Sequence, residues 1–161
     1  MSKKRKILWI FITLLIIIQF IRPSKNTGEV YTANDISHSV NVPADVKNIL
    51  EKACNDCHSN NTVYPWYTNV QPFGWWINHH VNEGVHELNF SEFNTYKLRR
   101  KLHKLEEIAE QVKKGEMPLG TYTWMHGEAK LSTAEQQILI DWALNSKALL
   151  DTVKIAGEQK K

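Results

Sequence analysis

The chain has 161 residues, 42% hydrophobic and 23% charged, which is the size and composition of one globular domain. Its formal charge is +3, but six of the 20 basic residues lie at or before Lys25, and no acidic one does. That leaves 14 basic against 17 acidic beyond it, a net of −3. The basicity is terminal, so nothing here points to a nucleic-acid partner.

Lys3, Lys4, Arg5 and Lys6 open the chain as a basic cluster. Ile7 to Ile21 then run ILWIFITLLIIIQFI without a charge. As a helix that stretch is ~22 Å long, against ~30 Å for a bilayer core. Its apolar character all round and its cationic flank suggest a membrane anchor or signal over residues 1–22. The basic end would stay cytoplasmic and the rest would be exported. The expected location is therefore the bacterial inner membrane, single-pass with the domain in the periplasm, or secretion after cleavage of the segment.

Residues 23–41 are polar and aperiodic and read as a tether. Val42-Pro43 opens a first helix, with Val46, Ile49, Leu50 and Ala53 as its apolar stripe. It leads into Cys54. Asn60 to Gly74 is a loop rich in aromatics, including Tyr64, Trp66, Tyr67 and Phe73, which normally pack on something large and apolar. Trp75 to Leu88 can be helical, with Ile77, Val81, Val85 and Leu88 on one face. Ser91 to Lys114 is the longest helical candidate, carrying Leu98, Leu102, Leu105, Ala109 and Val112, with Gly115 placed to end it. Glu116 to Lys130 reads as a loop containing Met117-Pro118. Ser132 to Glu135 is a capping box, with Leu131 before it. It starts a last helix that should bury Ile138, Leu139, Trp142 and Leu149. A domain over 42–152 is thus all-α, four or five helices, with a polar tail over 153–161.

The chemistry lies at Cys54, Cys57 and His58. These are the only two cysteines of the chain, three residues apart, with an imidazole beside the second. On a helix, positions i, i+3 and i+4 share one face. Two sulfurs there can add to the two vinyl groups of a haem, and the imidazole can reach the iron. Cys-x-x-Cys-His is the signature of covalent haem attachment. A redox dithiol would want a strand before the motif and a sheet around it. A structural zinc site would want four ligands, and no further cysteine exists.

One haem needs a second axial ligand or a vacancy. The candidates are Met117, Met125, His79, His80, His86, His103 and His126. Met117, on a loop beside a proline, is the expected distal ligand, and a thioether there raises the potential. His79, Glu83 and His86 share a helical face. However, a di-iron bundle needs two such Glu-x-x-His helices, so that set reads as a polar face.

Three motifs together resemble a class I cytochrome c: Cys54-x-x-Cys57-His58, the Met117-Pro118 loop, and Ser132 with Glu135 opening the last helix. More closely, CNDCHSNNTVYPWY, WWINHHVNEG and LNFSEF resemble a family of haem-binding domain proteins, small membrane-anchored c-type cytochromes. The resemblance covers roughly residues 30 to 150. It implies a cytochrome c-like helical domain around one covalent haem c at Cys54 and Cys57. It also implies His58 as proximal and Met117 as distal iron ligand, and a proline carbonyl holding the imidazole, for which Pro72 is the nearest match and Pro65 the rival. The expected function is electron carriage by a mono-haem cytochrome among membrane or periplasmic redox proteins, with no small-molecule substrate and no enzymatic activity. The alternative is a haem-based sensor or gas-binding module whose sixth ligand is displaceable.

Overall fold

The computed structural model describes residues 2–158, with side chains through Thr152. The tail expected over 153–161 lies outside the described side chains. Among the described residues seven α-helices follow one another: α1 Lys3–Ile18, α2 Ala44–Ala53, α3 Asn55–His58, α4 Phe73–Glu87, α5 Leu98–Lys114, α6 Gly120–Met125 and α7 Thr133–Glu158. Short 3-10 turns join them at Ile36–His38, Trp66–Asn69, Phe90–Thr95 and Gly127–Ala129. No strand occurs among the described residues; the one extended pairing is an isolated bridge between Thr27 and Asn61.

α2 forms where its stripe predicts, and Val46, Ile49, Leu50 and Ala53 are all buried. α5 buries Leu105, Ile108, Ala109 and Val112. It stops at Gly115, whose φ of 71° is the left-handed conformation that glycine adopts freely. Gly115 N–H bonds Val112 O and Glu116 N–H bonds Gln111 O, closing the last turn. α7 opens on the expected capping box. Ser132 N–H donates to Glu135 Oε2 at 2.9 Å, and Glu135 N–H donates to Ser132 Oγ at 3.3 Å. α5 and α7 form the most extensive helix pair, with α2 packed against α7. Their core holds Phe93, Leu105, Leu139 and Ala143, all fully buried.

Several expectations change. The single long helix over 91–114 is two pieces. Asn89 caps a 3-10 turn through Ser91 N–H, the backbone is extended at Tyr96, and α5 begins only at Leu98. The last helix buries Leu139, Trp142, Ala143 and Ser146, but leaves Ile138 and Leu149 exposed. The loop over 116–130 contains α6. The stretch 23–41, read as a tether, lies along the domain. Ile36 and Val40 enter the core, and Ser91 Oγ donates to Val30 O.

The membrane-anchor expectation is overturned. α1 ends at Ile18, so its apolar part is Ile7 to Ile18, about 18 Å of helix against ~30 Å of hydrocarbon. The stop is local. Gln19 turns its side chain onto Leu15 O and onto Gln71 of the domain, while Phe20 and Ile21 tighten into i−3 hydrogen bonds. Among the described residues no helix is long and apolar enough to cross a membrane. The single-pass inner-membrane placement falls with it.

Candidate haem site

The motif does not sit on one continuous helix. Cys54 takes φ −127°, ψ −42° and breaks α2, and α3 is a single turn. That turn still gathers the three side chains, because Cys57 N–H and His58 N–H both bond Cys54 O, at 3.1 and 2.9 Å. Asp56 fixes the turn to the loop that follows. Its Oδ1 accepts Val63 N–H at 2.9 Å, and its backbone O accepts Thr62 Oγ1 at 2.6 Å.

His58 is oriented by α4. Its Nδ1 lies 3.0 Å from Gly84 O and 3.0 Å from Leu88 O. Two carbonyls can only accept, so Nδ1 carries the proton and Nε2 keeps its lone pair. This is how a metal-bound imidazole is normally held from behind. Burial lowers the imidazole's pKa, and the two carbonyls only partly oppose that, so the ring is neutral near pH 7. Pro72, expected in this role, instead gives its carbonyl to Trp76 N–H at the start of α4. Pro65 O accepts from Thr68.

Gly84 explains how α4 comes so near. A Cβ there would stand 2.3 Å from Cys57 O and 3.0 Å from Cys57 Cβ. The sequence did carry a signal, an isolated glycine inside a helical pattern, which points to close packing. Tyr122, Leu88 and Asp56 had no such signal. Tyr122 Oη donates to Asp56 Oδ2 at 2.8 Å, tying α6 to the Cys54–Cys57 turn.

Two adjoining cavities, of about 290 and 310 Å³, open on this turn. Cys54, His58, Met117 and Pro118 line both, and Cys57 and His80 line the second. Of the candidate distal residues, Met117 therefore shares both spaces with His58, and His80 shares one. Met125 and His126 face a different cavity, which His58 does not line. His79, His86 and His103 are exposed and pair with Glu83, Glu87 and Glu107. Among the described residues no group of three or more His, Cys, Asp or Glu side chains is placed to hold a metal ion alone.

The thiols lie opposite to what redox exchange needs. Burial, with Cys57 adding, pushes the Cys54 thiol up to about 12. Burial and the Asp56 charge push Cys57 up to about 11. A reactive dithiol is held well below 8.5. Two protonated thiols in one turn, a neutral imidazole with a free Nε2 and a soft thioether on the same apolar space fit a haem. Buried Lys104, paired with Glu107 at 2.6 Å and Glu87 at 3.3 Å, is the cation of that lining.

No curated protein and no solved structure matches the chain. The model of one family, described as a haem-binding domain, matches residues 13–145 and so takes in the stretch along the domain, the Cys54–His58 turn and the start of α7. The chain belongs to the haem-binding domain family.

Proposed function

We propose that this haem protein is a mono-haem c-type electron carrier. Cys54 and Cys57 would hold the haem as thioethers, His58 Nε2 would be the proximal ligand, and Met117 Sδ the distal one. One observation carries the reading: Cys54, His58 and Met117 line the same two cavities, while Gly84 O and Leu88 O hold His58 by its other nitrogen. When bound, haem supplies a one-electron Fe(III)/Fe(II) couple.

The chain's own part is positioning. α4 fixes the imidazole plane. Leu50, Ile108, Val112 and Leu139 give the space one hydrocarbon wall. With His58 and Met117 both holding the group, electrons would pass to redox-protein partners without a substrate on the metal.

The test is optical and chemical. The purified protein should keep its haem through acidic acetone extraction and give a haemochrome spectrum. Oxidised wild type should show a methionine–iron charge-transfer band, absent in Met117→Ala, whose potential should fall. Extractable haem would refute covalent attachment, and a spectrum unmoved in Met117→Ala would refute the distal assignment.

A further inference from the structure

His58 Nδ1 donates to two carbonyls at the end of α4, so whatever holds that end holds the imidazole. Leu88 stands between two peptide groups, and both lead to His58. In the group after it, Leu88 O accepts from His58 Nδ1 at 3.0 Å, and Asn89 N–H donates to Tyr96 Oη at 2.9 Å. This peptide is trans, so its O and its N–H point to opposite sides of one rigid plane. Tyr96 therefore fixes the plane from the side away from His58. A hydrogen bond to the N–H also polarises the group and makes Leu88 O the stronger acceptor.

In the group before it, Glu87 O accepts from Arg100 Nη2 at 3.3 Å, and Leu88 N–H donates to Gly84 O at 2.9 Å. Gly84 O is the second acceptor for His58 Nδ1. Arg100 Nη2 also donates to His86 O at 3.2 Å, which sets a cation at the negative end of α4. The guanidinium lies over the Tyr96 ring, 4.1 Å from its centroid. Tyr96 stands two residues before α5 and Arg100 in its first turn, so one short segment grips both peptide groups. Leu88 and Asn89 are buried, and a peptide group left unpaired there is costly. Neither Tyr96 nor Arg100 lines the two cavities that His58 lines, so any effect on their occupant must pass through Leu88.

We propose that Tyr96 and Arg100 are positioning residues for the iron ligand, acting on His58 through the two peptide groups of Leu88. This rests on the reading of His58 as the proximal ligand. A carbonyl held on Nδ1–H makes an imidazole a more basic ligand. A more basic ligand favours ferric iron and so lowers the potential. Loosening either group should raise it.

The test uses holoprotein, wild type beside Tyr96→Phe, Arg100→Met and Arg100→Lys. Two quantities are read: the potential, and the solvent exchange of the His58 Nδ1–H by NMR of the reduced protein. Tyr96→Phe keeps the ring under the guanidinium and removes only the acceptor. Its Nδ1–H should exchange about tenfold faster, the worth of one hydrogen bond. Its potential should rise by ~30 mV, a roughly threefold change in the ratio of reduced to oxidised protein at about 59 mV per tenfold for one electron. Arg100→Met should move both quantities the same way, although loss of a cation by itself would lower the potential. Arg100→Lys keeps the charge and a donor and should return both toward wild type. The ligation of His58 is read separately on the oxidised wild type, where ferric iron should displace the Nδ1–H resonance far from its ordinary position. An undisplaced proton refutes the ligation and with it the role proposed for Tyr96 and Arg100; a displaced one leaves the variants to decide. Unchanged exchange in Tyr96→Phe then overturns the proposal, as does a potential that neither Tyr96→Phe nor Arg100→Met moves. A fall in the potential of Arg100→Met overturns it too, because Arg100 would then act by its charge alone.

Discussion

Gly84 and Tyr122 each connect one more element to the turn that holds Cys54, Cys57 and His58. Adding a methyl group at Gly84 leaves no room before Cys57 O, at 2.3 Å. α4 or α3 must shift, and the shift would carry Gly84 O away from His58 Nδ1. Gly84→Ala should cost about 1–3 kcal/mol, the usual range for overpacking. It should also shift the haem spectrum, which a substitution acting only on stability would not do. A thermal melt and the haem spectrum together check this; a variant as stable as wild type with an identical spectrum would show that the contact is not needed. Tyr122→Phe keeps the ring and its stacking on His126, with centroids 4.3 Å apart, but leaves Asp56 Oδ2 without that donor. The expected loss is about 1 kcal/mol, read as a lower denaturation midpoint at unchanged slope.

At the scale of elements, the N-terminus of α7 is tied to α2 by charge as well as by packing. The Lys52 ammonium, then the Ser132 N–H and hydroxyl, hold the Glu135 carboxyl down from the ordinary 4.5 to about 2. A lowered carboxyl stabilises the fold above its unfolded value and ceases to do so as the pH drops through its folded value. The contribution should therefore be whole above about pH 4.5 and fade toward pH 2. Melting wild type beside Glu135→Gln across pH 6 to 2.5 checks it: the gap between the two should narrow as the acid is added, and a gap that stays constant would mean that Glu135 acts only through its cap. This junction was half legible in the sequence. Ser132 and Glu135 announce a cap because capping is local, whereas Lys52 lies 83 residues away and no local rule connects them. The same limit explains the helices. α2 and α5 have stripes at helical spacing and were readable. α6 is six residues with no buried side chain, so periodicity has nothing to act on. Cys54, Cys57 and His58 were readable as a motif. Their support from Gly84 O and Leu88 O was not, because carbonyl groups belong to every residue and leave no mark in a sequence.

For the whole molecule, the decisive boundary falls between α1 and the stretch that follows it. Residues 22–40 have no periodicity, yet the bonds they make are numerous and specific. Asn26 Nδ2 donates to Ser59 O and Thr62 Oγ1, Gly28 N–H to Asn60 O, and Asn78 Nδ2 to Ser24 O. These run over the residues just after the Cys54–His58 turn and over α4, and Ile36 and Val40 then enter the main core. The family match begins at residue 13 and so includes this stretch. α1 differs: none of its residues is buried, and the joint behind it is the Gln19–Gln71 pair and Trp75 Nε1 on Ile21 O. Deleting residues 2–21 should therefore lower the melting temperature by only a few degrees and leave the haem spectrum as it was. Deleting residues 2–40 removes Ile36 and Val40, worth about 1.5–3 kcal/mol each, and strips partners from Ser59, Asn60 and Ser91. That loss is comparable with the ~5–15 kcal/mol of a whole domain, and the chain should fail to fold around its haem. Ile36→Ala supplies the graded version, at about 2–5 kcal/mol. Differential scanning calorimetry on the three proteins decides the matter. Equal stability of the two deletions would make residues 22–40 a passive connector, and collapse of the shorter deletion would make α1 part of the domain.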